Sequence, residues 1–394
     1  MDKTQKNHLK AYGLTYWSLS QNSEVDWLLN YRGGSFLLEG FTQIEKECKL
    51  RNISYQVISN DDVRRLKVEL ANPSINAEIV KLLKPPKIAV YSPKTAQPWD
   101  DAVTLVLSYA EIPYDIIFDE EVLDEKLALY DWLHLHHEDF TGQYGKFWNS
   151  YKHAPWYKKQ VQEAERMALK YGFKKVSQLK LAVAKKIKDF TLGGGYLFAM
   201  CSATDSYDIS LSAEGVDILD WMYDGDGIES NAQGKINYEA CFAFENFTLE
   251  LRPTIYEYAN IDVQPAKRAV KEENDVFILN EFSAKWDVVP TILTQNHQKI
   301  IKGFMGQTTA YHKNMIKSYV TILGENKLLN EVKYIHGSLG KGTWTFYGGH
   351  DPEDYRHMVG EEPTDLNLHP NSAGYRLILN NILFPSAKKE KKKT

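Results

Sequence analysis

Lys87-Ile88-Ala89-Val90-Tyr91 opens the stretch that decides the fold, and Tyr114-Asp115-Ile116-Ile117-Phe118 and Trp132-Leu133-His134-Leu135-His136 continue it. Each is a short apolar run of the buried-strand type. A helical segment from Trp99 to Ala110 joins the first two, with Asp100 and Asp101 in its first turn, where the helix dipole favours carboxylates. Glu120–Tyr130 leads to the third run. Strand, helix and strand in succession imply parallel pairing through right-handed crossovers. The pattern resumes at Tyr196–Met200, directly after Gly193-Gly194-Gly195, and again at Val320–Gly324, Lys333–Ile335 and Thr343–Tyr347. The expected fold class is α/β: a flavodoxin-like parallel sheet with helices on both faces, its strands drawn from 87–140, 196–200 and 320–347.

Outward from this core, residues 1–84 read as a smaller N-terminal α/β domain. Asn7–Leu19 has helical spacing, Val25–Asn30 reads as a strand, Phe41–Arg51 as a helix and Tyr55–Ser59 as a strand; Asp61–Leu83 keeps a helical period. Pro85-Pro86 cannot continue a helix and marks a linker. The main domain then spans 87–385, with a helical insertion at 144–190 and a mixed, β-rich insertion at 205–320. Gly337–Gly342 reads as a hairpin turn, Gly374–Leu383 as the last helix, and 386–394 as a basic tail.

The chain has 394 residues, 43% hydrophobic and 25% charged, as an ordinary globular protein has. A net charge of -5 provides no basic field for nucleic acid. No apolar run approaches the ~18–20 residues of a membrane span. The polar start Met1-Asp2-Lys3-Thr4 is no signal peptide, so a cytoplasmic location is expected, or a periplasmic one if a leader precedes it. Cys48, Cys201 and Cys241 make an odd count without a C-x-x-C, against a disulfide framework or zinc ribbon. Phe147, Trp148, Tyr151, Trp156 and Tyr157 crowd one segment, a surface for a protein partner or for a small-molecule or glycan-like ligand.

Ligands of open parallel sheets bind outside the carboxyl ends of the strands. Three clusters fall at such ends. The first runs His134-Leu135-His136-His137-Glu138-Asp139 and on to Thr141 and Gly142. His136, His137 and Glu138 are candidate imidazole and carboxylate ligands for a divalent metal; the favoured alternative is a polar loop that lines a pocket without metal, and no cofactor is expected on that reading. The second is Ala199-Met200-Cys201-Ser202-Ala203-Thr204-Asp205. Small residues around Cys201 suit a sharp strand-to-helix elbow, where the helix N-terminus lowers a thiol pKa; the alternative is a buried core cysteine. The third is Gly348-Gly349-His350-Asp351-Pro352-Glu353. His350 is a candidate base for Cys201 with Asp351 or Glu353 as its orienter; the alternative is an ordinary turn. Convergence of His136, His137, Cys201 and His350 in one pocket is expected if their strands share a sheet. No Walker loop and no G-x-G-x-x-G after a strand supports phosphate or dinucleotide binding.

The Lys87–Asp139 pattern, the elbow at Cys201 and the ending Gly340-Lys341-Gly342-Thr343-Trp344-Thr345-Phe346-Tyr347-Gly348-Gly349-His350 resemble the class I glutamine amidotransferase-like superfamily, near its trehalose-utilisation-like branch. Over its whole length the chain also resembles a group of Bacteroidetes proteins labelled asparagine synthetase B. It does so through Asn7-His8-Leu9-Lys10-Ala11-Tyr12-Gly13, His134–Gly142, Met200–Asp205 and His369-Pro370-Asn371-Ser372. The superfamily resemblance implies a Cys/His amidohydrolase or amidotransferase acting on a carboxamide or related acyl group. Cys201 would be its nucleophile and His350 its base, with backbone amides after Cys201 and at Thr141-Gly142 as oxyanion donors. Ser202, Asp205 and Gly349 line the same expected pocket. ATP-dependent asparagine synthesis needs a Cys at position two and a Ser-Gly-Gly-x-Asp-Ser loop; the chain has Asp2 and no such loop. Three readings stand: the Cys/His enzyme, a metal-dependent hydrolase on His136, His137 and Glu138, and a non-catalytic binding or assembly protein.

Overall fold

The structure is a computed structural model that describes residues 1–94, 100–263, 268 and 270–387. It begins with α1 (His8–Ser20), whose N-cap Asn7 accepts the Lys10 amide. β1 (Val25–Leu29), β2 (Ser35–Leu37), α2 (Thr42–Leu50), α3 (Asn60–Ala71) and β3 (Glu78–Leu82) follow. The three strands form an antiparallel sheet in the order β2-β1-β3. Two expectations are corrected here. Tyr55–Ser59 has no strand partner; it is an extended lead into α3, and Ser59 caps that helix in a reciprocal capping box with Asp62. The helical period read across Asp61–Leu83 breaks at Asn72-Pro73, and Glu78–Leu82 pairs with β1 instead.

After the double proline come β4 (Ile88–Tyr91), α4 (Ala102–Tyr109), β5 (Asp115–Ile117), α5 (Asp119–Leu123) and β6 (Trp132–Leu135). Trp99, read as the start of α4, lies outside the described residues. Next are α6 (Trp148–Tyr151), α7 (Pro155–Lys170), α8 (Val176–Gly193), β7 (Tyr196–Met200), α9 (Ser202–Ser212) and α10 (Trp221–Asp224). The chain ends with β8 (Val276–Leu279), α11 (Val288–Leu293), β9 (Ile300–Lys302), β10 (Tyr311–His312), β11 (Thr321–Asn326), β12 (Glu331–Leu339), β13 (Gly342–Tyr347) and α12 (Ala373–Leu383). The described part of 205–320 is mostly irregular, with only the short strands β8, β9 and β10, so it is not β-rich. Of the basic tail, 388–394 lie outside the described residues.

One large sheet runs β5-β4-β6-β7-β13-β12-β11-β8-β9, with β10 beside β12. The five strands from β5 to β13 are parallel; β12, β11, β8 and β9 are antiparallel. The sheet is therefore mixed, not purely parallel, because the β12–β13 hairpin turns the chain back after the last crossover. Side chains alternate between two cores, as the strand period requires. Ile88, Val90, Trp132, Phe198 and Met200 face the core shared with α1, α4 and α12, which also joins the N-terminal unit. Ala89, Tyr91, Leu133, Leu135, Leu197 and Ala199 face the core under α8 and α9. Helices thus cover both faces. No helix among the described residues is long and apolar enough to cross a membrane.

Candidate functional site

β6, β7 and β13 are neighbours and parallel, so their carboxyl ends lie along one edge. His136 and His137 follow β6, Cys201 follows β7, and His350 follows β13. The His136 and His350 rings are 4.4 Å apart, and the His136 and His137 rings 4.8 Å. One potential ligand atom from each of His136, His137 and His350 lies within 4.8 Å of the others. His136 Nε2 and His350 Nδ1 are buried without a hydrogen-bond partner. Burial, then the neighbouring imidazoles, pushes the pKa of both His137 and His350 well below the ordinary histidine value.

Asp101 positions this group from the opposite side. Its Oδ1 caps α4, accepting the amides of Val103 at 2.7 Å and Thr104 at 2.9 Å. Its Oδ2 lies 3.2 Å from His136 Nδ1 and 3.2 Å from His134 Nε2. Burial alone would raise the Asp101 pKa; His136 and His134 more than offset it and hold the carboxyl well below the usual range. His134 also contacts the Phe198 carbonyl through Nδ1, at 3.2 Å, which ties β6 to β7. At the outer end, His357 stacks on His350 with ring centres 4.8 Å apart and planes 3° from parallel. Asp100 Oδ1 lies 2.8 Å from His357 Nε2, and Asp354 Oδ2 lies 2.8 Å from Nδ1. Asp100 first, with Asp354, raises the His357 pKa to about 9 against the effect of burial.

Cys201 has φ 49° and ψ −140° at the junction of β7 and α9. A side-chain-bearing residue held there stores roughly 1–3 kcal/mol of strain. The small neighbours Ala199 and Ala203 are fully buried, which lets the corner pack. Burial raises the Cys201 thiol pKa, although the amides of Thr308, Gln307 and Ser202 point at the sulfur and favour the thiolate. The expectation of a lowered pKa is corrected: desolvation outweighs the helix N-terminus.

The remaining expected residues are placed as follows. Glu138 is buried, with Oε1 4.0 Å from His137 Nε2, and burial raises its pKa to about 8. It does not join the imidazole trio. Asp139 holds its own loop, accepting the Thr141 amide and hydroxyl and the Gly145 amide. Gly142 packs against the start of α8 at Ser177. The Thr141-Gly142 loop is thus a structural turn, and the amides at the sulfur come from Gln307 and Thr308 instead. The Ser202 hydroxyl donates to the His137 carbonyl at 2.9 Å, and Asp205 accepts the Thr308 hydroxyl at 2.8 Å. Asp351 accepts the Tyr375 hydroxyl at 2.7 Å and the Glu353 amide, while Glu353 lies 3.2 Å from His369 Nδ1. Neither orients His350. Gly349 has φ 93°, and a Cβ there would come within 2.5 Å of the Phe304 ring. Its amide donates to the Thr308 carbonyl and that of His350 to the Met305 carbonyl, so the 304–309 loop bridges Cys201 and His350.

His357, Gln307 and Thr308 carry no signal in the sequence that marks them as site residues. Asp100 and Asp101 show only as helix-start carboxylates.

Neither a family model nor a curated protein matches the chain. Among solved structures it is similar to cytoplasmic protein STM3548 from Salmonella typhimurium, at 12% identity over 77% of this chain and 100% of that one, with a TM-score of 0.37. Cytoplasmic protein STM1381 from Salmonella typhimurium LT2 gives the same identity and coverages with a TM-score of 0.38. Gan42B, a GH42 β-galactosidase from G. stearothermophilus, is 12% identical over 68% of this chain and 28% of its own, with a TM-score of 0.30. None of the three bears on the chemistry of the site.

Proposed function

We propose that the protein is a metal-dependent hydrolase whose divalent ion is held by His136, His137 and His350. The observation that carries this is the convergence of three imidazoles at one sheet edge, His136 and His350 buried and His137 partly so, the two buried rings each with a nitrogen that has no hydrogen-bond partner. Burial favours the neutral, ligating form of His137 and His350. Asp101 beside His136 Nδ1 fixes that ring from behind and leaves Nε2 for the ion, the outer carboxylate common at metal-bound histidines. Tetrahedral ligand nitrogens about 2.0–2.1 Å from zinc sit about 3.3 Å apart, so the rings would close by up to about 1.5 Å on binding. Three imidazoles suit zinc, iron or nickel over magnesium or calcium. Such an ion supplies a Lewis acid for hydrolysis. His350 takes the third position that the sequence reading gave to Glu138.

The accompanying fold reading is a flavodoxin-like, class I glutamine amidotransferase-like core. The order β5-β4-β6-β7-β13 supports it: numbered from β4 as the first strand, it is the 2-1-3-4-5 order of such sheets.

A second reading keeps Cys201 as the nucleophile of an amidohydrolase. Its strained elbow and the three amides at its sulfur favour it, since such amides stabilise a developing oxyanion. Elemental analysis of the purified full chain, with hydrolysis assays on carboxamides and esters, separates the two. The metal reading expects bound transition metal that His136→Ala and His350→Ala lose, and hydrolysis that survives Cys201→Ala. A chain that binds no transition metal even after reconstitution sinks it.

A further inference from the structure

We propose that Asp205 is a positioning residue for His350: through the Thr308 hydroxyl it fixes the 304–309 loop, and that loop sets the third imidazole of the metal centre. The inference rests on the three imidazoles being a metal site, and names what holds the third of them in place.

Asp101 braces His136 directly, with Oδ2 3.2 Å from Nδ1. His350 has no such brace from Asp351 or Glu353, whose carboxylates meet Tyr375 and His369. Its backbone is what is gripped. The His350 amide donates to the Met305 carbonyl at 2.8 Å, and the Gly349 amide to the Thr308 carbonyl at 2.7 Å. Gly306 lies so close that a Cβ there would stand 2.8 Å from the His350 nitrogen. A shift of the 304–309 loop therefore moves His350 with it. Groups outside the ligand shell that orient a ligand strengthen its hold on a metal.

The loop has no regular secondary structure, so its shape is set by what holds it. Three buried ionisable side chains do so, although burying such groups is costly. Asp262 accepts the Thr309 amide at 2.8 Å. Lys333 on β12 donates to the Thr309 carbonyl at 2.8 Å and to that of Phe304. These two hold the ends of the loop. Asp205, in the first turn of α9, holds Thr308 itself: its Oδ1 accepts the Thr308 hydroxyl at 2.8 Å and the Ser206 amide at 2.9 Å. At Thr308 the grip and its effect meet. The hydroxyl goes to Asp205, the carbonyl to Gly349, and the amide points at the Cys201 sulfur. Asp208 on the same helix shows the same device in a purely structural place. Equally buried, it accepts the amides of Phe242, Ala243 and Phe244 at 2.7, 2.7 and 3.1 Å, and those residues lie in the core under α8 and α9. It supplies a matched control.

The test is the Zn²⁺ affinity of the full chain by competition with a chromophoric chelator. The Co²⁺ absorption spectrum reports ligand geometry, and urea unfolding reports stability. Thr308→Val and Asp205→Ala are each expected to weaken Zn²⁺ binding about 10-fold and to alter the Co²⁺ spectrum, and Thr308→Ser to restore affinity to within about twofold. The double variant should bind about as well as either single one, because both changes remove one hydrogen bond. Asp208→Asn should lower stability and leave affinity and spectrum unchanged. Valine has the shape of threonine, so Thr308→Val keeps the test decisive even if Asp205→Ala unfolds. Unchanged affinity in folded Thr308→Val overturns this inference and leaves the metal centre standing. So does Thr308→Ser binding as weakly as Thr308→Val, or Asp208→Asn weakening the ion equally. No Zn²⁺ on the unaltered chain after reconstitution overturns the metal centre, and this inference with it.

Discussion

Asp101 and His136 meet with Oδ2 3.2 Å from Nδ1, while the other oxygen of the same carboxylate caps α4. One side chain therefore caps α4 and aims the imidazole that follows β6. The two duties separate by substitution. Asn caps a helix about as well as Asp but lacks the charge. Asp101→Asn is expected to keep the melting temperature within a few degrees and to weaken metal binding about 10–100-fold. Competition with a chromophoric chelator measures the second effect. Unchanged affinity would remove Asp101 from the centre.

Gly349 sets the position of His350. With φ 93° and the Phe304 ring 2.5 Å from where a Cβ would stand, Gly349→Ala must shift the backbone. The expected loss is roughly 1–3 kcal/mol of stability, with weaker metal binding as His350 moves. Denaturant titration together with zinc stoichiometry checks both.

At Cys201, φ is 49°. Any side chain pays strain there, and glycine does not. Cys201→Gly is expected to be more stable than Cys201→Ala by about 1 kcal/mol, with metal binding intact in both. The buried, raised-pKa thiol should resist iodoacetamide at pH 7 in the folded protein. Rapid labelling, or loss of hydrolysis in both variants, would favour the nucleophile reading.

His336 lies buried in β12, and burial lowers its pKa from 6.5 to about 4. Below pH 6.5 the unfolded chain protonates this ring and the folded chain does not. Its contribution is fully present above pH 6.5 and falls as the pH drops toward 4, by up to about 1.4 kcal/mol per unit. The stability difference between the unaltered chain and His336→Gln should therefore shrink as pH falls from 7 to 4.5, as followed by urea unfolding. A pH-independent difference would contradict the burial-driven shift.

The apolar runs at Ile88–Tyr91, Trp132–Leu135 and Tyr196–Met200, the corner at Cys201 and the Gly340-Lys341 hairpin were legible because they are local. Continuous apolar runs, small residues at a bend and turn chemistry leave their marks within a few residues. So was the placement of His136, His137, Cys201 and His350 after strands. Locality also explains the failures. Glu78–Leu82 is a strand only because β1 offers an edge, and that edge lies far away in sequence. Which imidazole joins His136 and His137 depends on β7 pairing with both β6 and β13, which brings His350 in, while Glu138 stays outside the trio. Asp100 and Asp101 became parts of the site, and the amides of Gln307 and Thr308 reached Cys201, through the same packing. Side-chain alternation is fixed by neighbours along the chain, but strand order and loop docking are fixed by which buried surfaces fit together. The sequence by itself therefore determined the elements of the parallel core and the edge at which chemistry gathers; only the tertiary structure decided the pairing of Glu78–Leu82 and which side chains meet at that edge.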